Sequence, residues 1–133
     1  MPEPSGGAYS PITAQHRFRI GESRPLWYRV VDRDGDIPTD LATWTFEWAM
    51  RETASDPDLI ASRTSAAGHI TVALHDDWYA PGTDVEMVRV WLPAATTELW
   101  TPGRYAYALW RVDAGLENVL AEGPFEVLRA ASI

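Results

Sequence analysis

The chain has 133 residues, 46% of them apolar, which is the size of one domain with enough bulk for one core. Its formal net charge is −8 and all eleven basic residues are arginine, so there is no lysine-rich stripe for a phosphate backbone, and nucleic-acid binding is not expected. There is no cysteine, which excludes disulfides, thiolate metal sites and a cysteine nucleophile.

Residues 1–15 are rich in Pro, Gly and Ser and read as a flexible N-terminal arm. They lack the basic and apolar regions of a secretory signal, so synthesis in the cytoplasm is the expectation. No apolar run reaches the length of a membrane span, so no membrane partner is expected. Residues 16–128 read as one β-sandwich domain and 129–133 as a short tail.

The period-2 signal then recurs along the chain. Leu26, Tyr28 and Val30 alternate with Trp27, Arg29 and Val31. Asp34-Gly35 follows as a tight-turn dipeptide, read as closing a hairpin to the next strand. There Trp44, Phe46, Trp48 and Met50 share one face. Ile70, Val72 and Leu74 form the next set, then Val88, Val90 and Leu92. Pro81-Gly82 between them reads as a turn. Ala94 to Trp100 suits one short helical turn. Tyr105, Tyr107 and Leu109 share a face, and a last strand carries Leu120, Phe125 and Val127. Gly123-Pro124 within it marks a bulge or an edge position. Seven to eight short strands at near-regular spacing predict an all-β, antiparallel sandwich.

Candidate chemistry is sparse. His75-Asp76-Asp77 offers imidazole and carboxylate to a metal, but reads better as a solvated strand end. Asp32, Asp34, Asp36 and Asp40 crowd one turn, yet the glycine and glutamate spacing of a calcium loop is missing. Glu47 and Glu52 fall on opposite faces by the period-2 rule, which argues against a glycosidase pair. No nucleophile elbow, phosphate loop or dinucleotide fingerprint is present. The expectation is no catalytic residues, no cofactor and no metal. Tyr28, Trp44, Trp48, Tyr105 and Tyr107 fall on inward faces. Trp27, Trp91 and Trp110 fall on the opposite faces and are the candidate interface residues, because exposed aromatics of that size call for a partner.

The order of motifs resembles a known family. Gly21-Glu22-Ser23 leads into Leu26-x-Tyr28-x-Val30 and Asp32-x-Asp34-Gly35, followed by Pro38-Thr39-Asp40-Leu41 and the strand from Trp44 to Arg51. Gly68-His69-Ile70-Thr71-Val72 comes next, then Thr97-x-x-Leu99-x-x-Pro102-Gly103-x-Tyr105-x-Tyr107 and Glu122-Gly123-Pro124-Phe125-Glu126-Val127. This run is similar to the immunoglobulin-like N-terminal domain of phage baseplate upper proteins and related structural proteins of tailed bacteriophages. The resemblance covers about residues 18 to 128. It implies an immunoglobulin-like sandwich that serves in the virion as a tail or baseplate component. Its partners would be other phage structural proteins, reached by docking and oligomerisation in a repeating assembly. The arm is expected to order on docking, at about 1–2 kcal/mol per residue. Capsid decoration as a head accessory protein is the alternative within that class. A carbohydrate-binding module, with outward Trp stacking on sugar rings, is the alternative outside it.

Overall fold

A computed structural model describes residues 12–130. In chain order the strands are β1 (Ile12–Thr13), β2 (His16–Arg19), β3 (Arg24–Tyr28), β4 (Phe46–Arg51) and β5 (Ala61–Thr64), then β6 (Ile70–Asp77), β7 (Ala80–Leu92), β8 (Gly103–Arg111) and β9 (Asn118–Leu128). Two short helical segments interrupt them, a 3-10 turn at Leu41–Thr43 and α1 (Ala94–Thr97). The smaller sheet has the order β3-β7-β6. The larger has the order β1-β9-β8-β4-β5, with β2 also on β9. β1 and β2 act as one interrupted edge strand, so the sandwich is effectively eight-stranded.

The connectivity is that of an immunoglobulin sandwich. β3, β7 and β6 take the places of strands B, E and D, and β4, β8 and β9 those of C, F and G. The core is aromatic. Phe18, Tyr28, Phe46, Trp48 and Phe125 are fully buried, with Trp44 and Tyr107 nearly so. Antibody domains join strands B and F by a disulfide against a strand-C tryptophan. Here Tyr28 and Tyr107 lie on the equivalent strands with ring centroids 5.9 Å apart, and Trp48 stacks on Tyr107 at 6.1 Å. The Trp48 indole N–H donates to the Tyr28 hydroxyl at 3.1 Å. Tyr105, at the start of β8, donates its hydroxyl to the Thr101 carbonyl at 2.6 Å, as the corner tyrosine of such domains does.

Four sequence expectations are corrected by the pairing. First, the ordered sheet starts before residue 16: Ile12 and Thr13 pair with Ala121 and Glu122, so only residues 1–11 of the expected arm lie outside the described residues. Second, not every pair is antiparallel, since β1 and β2 run parallel to β9. Third, Asp34-Gly35 makes its turn, with Gly35 at φ 85°, but closes no hairpin. β3 pairs with β7 and β4 with β8, in different sheets. A turn dipeptide specifies local reversal, not which strands then pair. Fourth, Pro81-Gly82 is not the turn of its hairpin. The chain reverses at Trp78-Tyr79, and residues 81–83 bulge out opposite the Asp76/Asp77 step.

The break between β1 and β2 has a sequence cause. Ala14 and Ile20 donate their N–H groups to the Glu122 and Leu128 carbonyls at 3.3 and 3.0 Å. Alternation along β9 turns the amide of residue 124 the same way. Pro124 has no N–H, so the ladder stops there and residues 14–15 step away. Gly123 admits that step, because a Cβ on it would lie 2.4 Å from the Ala14 carbonyl oxygen. The same oxygen accepts from the Tyr107 hydroxyl at 2.8 Å. Gly123→Ala is therefore expected to push the edge strand off and cost about 1–3 kcal/mol. Denaturant unfolding checks this, and a loss below about 0.5 kcal/mol contradicts it.

Candidate functional site

The three outward tryptophans do not form one surface. Trp27 and Trp91 are half-buried on the outer face of the smaller sheet, where Trp27 pairs with Arg89. The Arg89 guanidinium lies 5.9 Å from the Trp27 ring and 5.1 Å from the Trp91 ring. The His75 ring lies 4.6 Å from Trp27. Met87, next to Arg89 by strand parity, is fully buried although it faces away from the main core. This side of the sheet thus carries a small cluster of its own, and Trp27 and Trp91 are largely satisfied within the chain. Trp110 lies on the outer face of the other sheet and is 37% exposed.

The largest exposed apolar groups are elsewhere. β3 pairs with β7 only over residues 88–92, while β6 follows β7 out to its start. From Met87 outward the sheet is therefore a two-stranded ribbon. Ile70 on its inner face is buried and Val72 is partly buried, but Leu74 on the same face is 65% exposed. The period-2 pattern of β6 gave the face correctly. It did not tell that the opposite sheet has ended. At the tip Trp78 is 50% and Tyr79 is 79% exposed.

The turn end of the ribbon is braced to Arg29, just past β3, on its outer face. Arg29 donates Nε–H and Nη2–H to the two Asp77 carboxylate oxygens at 2.9 and 3.3 Å. These hydrogen bonds hold the Asp77 carboxyl below its ordinary pKa, helped by the Tyr79 N–H. The guanidinium also sits 4.7 Å from the Tyr79 ring centre. Asp76 accepts from the Gly82 N–H at 2.7 Å and so closes the bulge. Each member of the His75-Asp76-Asp77 triplet thus has a structural partner. The acidic turn resolves likewise, since the Asp32 carboxylate accepts from the Asp34 and Asp36 N–H groups at 2.9 and 3.0 Å. Among the described residues, no group of three or more His, Asp or Glu is placed to hold a metal ion. Glu47 lies on β4, and Glu52 lies beyond its end, so strand parity does not relate the two.

Two grooves accompany these features. One, of about 390 Å³, lies on the outer face of the larger sheet, with Ala106, Ala108 and Gly123 as its floor and Trp110, Arg51 and Glu122 around it. The other, of about 810 Å³, lies where β7 has passed through α1 into β8. Trp100 and Tyr105 line it together with Leu59, Ile60 and Leu99, of which Leu99 is 81% exposed. The edge strand beside it, β5, turns Arg63 inward, where Nε–H donates to the Trp91 carbonyl at 3.0 Å. An inward charge of this kind discourages a further strand from adding to that edge.

No helix among the described residues is long and apolar enough to cross a membrane. No protein-family model matches the chain, and no curated protein sequence matches it either.

Proposed function

We propose that this chain is a structural, non-catalytic assembly module of a tailed-phage virion, placed in the tail or baseplate and acting by docking. The observation that carries the reading is the two-stranded ribbon, with Leu74 exposed along it and Trp78 and Tyr79 exposed at its turn. A two-stranded ribbon is marginal on its own in water, and exposed aromatics at its tip add a surface that a neighbour would bury. The motif order described above supplies the virion context. The acidity of the chain favours solubility before assembly. Mass spectrometry of purified particles from the phage encoding this chain tests the reading. The chain is expected at a fixed copy number, with tail and capsid places distinguished by that number. Its absence from mature particles contradicts the proposal.

The groove beside Trp110 favours a second reading, a saccharide-binding module. An exposed indole next to a floor of small residues, with Arg51 and Glu122 at hand for hydroxyl groups, suits stacking on a sugar ring. Glycan-array binding that disappears in Trp110→Ala would support it, and no binding by the unmodified chain removes it.

A further inference from the structure

We propose that the ribbon tip of one copy docks into the Leu59, Ile60 and Leu99 groove of a second copy, so that the chain assembles head to tail. This deepens the assembly reading above and rests on it for its biological setting. The tip and the groove hold six of the large apolar side chains that the fold leaves exposed: Leu74, Trp78 and Tyr79 on one, Leu59, Ile60 and Leu99 on the other. One is a protrusion and the other a recess. They lie at opposite ends of β7, which begins at the tip with Ala80 and reaches Leu92 just before α1. Residues 81–83 bulge out of the ladder, so about nine strand steps of about 3.3 Å separate them by roughly 30 Å, and they do not meet within one chain. Two copies can bring them together, and the contact is then heterologous. Each copy keeps one free tip or one free groove, and growth continues until a ring closes.

A two-stranded ribbon is about 5 Å wide between strand axes and carries its two aromatics at the turn. The groove, at about 810 Å³, is the larger of the two described above and has a floor of Trp100 and Tyr105. The tip offers roughly 400 Å² of apolar surface, estimated from the area that buried aromatics remove from water. That is about half of what each partner contributes to a standard stable interface, near 800 Å². A single contact is therefore weak, and a closed ring, in which every copy makes two, is much firmer.

Sedimentation of the full chain from about 10 µM to about 1 mM tests the contact. The unmodified chain is expected to grow past the dimer as concentration rises. The Trp78→Ala, Tyr79→Ala double variant and, separately, Leu99→Asp are each expected to stay monomeric. All three positions are at least half exposed, so near-UV circular dichroism should show the same folded core in each. Mixed in equal amounts, the two variants keep one intact tip and one intact groove. They are expected to form a one-to-one dimer and nothing larger. A wild-type chain that stays monomeric throughout, variants that associate as the wild type does, or a mixture that stays monomeric would each overturn the proposal. A monomeric chain that is nevertheless found in particles overturns only the self-docking. A self-associating chain absent from particles overturns only the virion role.

Discussion

Trp48→Ala is expected to cost about 3–5 kcal/mol, the range for removing a large aromatic from a packed core. Trp48 is fully buried at the centre of the sandwich. Its ring stacks on Tyr107 at 6.1 Å and meets Phe125 edge-on at 5.7 Å. Its N–H is also a donor to the buried Tyr28 hydroxyl, and losing that partner adds about 1 kcal/mol. Domains of this size have only about 5–15 kcal/mol in total. With no cysteine in the chain, no disulfide between the sheets can hold the fold while the core is opened. Trp48→Phe keeps most of the volume and loses the donor, so about 1–2 kcal/mol is expected. Denaturant unfolding of the two variants checks the order. Equal costs for both would contradict the packing account.

Acid is expected to loosen the same region through His16. The imidazole sits 3.0 Å from the Tyr28 hydroxyl and packs against the Tyr107 and Phe125 rings. Burial, and secondarily the charge of Arg24, lower its pKa from 6.5 to about 4. Between those values the unfolded chain takes up a proton that the folded chain refuses. The His16 contribution is therefore complete above about pH 6.5, falls as pH drops through the window, and is fully lost by about pH 4. At about 1.4 kcal/mol per pH unit the loss is on the order of 3 kcal/mol. The Asp77 and Asp113 carboxyls are held below their ordinary values by Arg29 and Arg111, so their contributions are lost at lower pH and do not mask this window. His16→Gln cannot titrate. It is expected to start less stable at pH 7 and to lose less than the wild-type chain down to pH 4.5, the remaining loss coming from His69, whose pKa burial and the Arg63 charge also lower. An unfolding free energy of the wild-type chain that is flat from pH 7 to 4.5 would contradict the assignment.

Both effects converge on the junction that holds the N-terminal edge strand. Tyr28, Tyr107 and His16 form one polar cluster inside an aromatic core, and Ala14 is tied to it through the Tyr107 hydroxyl. Burial raises the Tyr107 hydroxyl to about 12, so it stays protonated and remains a donor to that strand at any ordinary pH.

The inward residues of β3, β4, β7 and β8 were legible in the sequence because one face of each strand meets the opposite sheet. Strict alternation follows from that. β5 was not legible. Its residues Ala61-Ser62-Arg63-Thr64 carry no apolar alternation, and the side chain it buries is Arg63. β2 was hidden likewise, since Phe18 is the lone large apolar residue in His16–Arg19. The outward direction of Trp27, Trp91 and Trp110 could be read from parity. That Arg89 and His75 cover the first two, and that the third lies on the other sheet, depends on pairing across strands. The ribbon was concealed by its turn. Trp78-Tyr79 has none of the glycine, proline or asparagine that marks a reversal, whereas Pro81-Gly82, three residues on, has both signals and forms a bulge instead. Leu74 shares its face with Ile70 and Val72, yet alternation reports a face and is blind to where the facing sheet stops.

The ribbon tip is the part of the chain on which the assembly account stands. Its most direct test is a phage carrying Trp78→Ala and Tyr79→Ala in this gene. The variant chain is expected to be made in normal amounts and folded, and to fall at least tenfold in particles relative to the wild-type chain, read by quantitative mass spectrometry of purified virions; a tenfold loss corresponds to about 1.4 kcal/mol of docking free energy. Incorporation at the wild-type level would contradict docking through the tip.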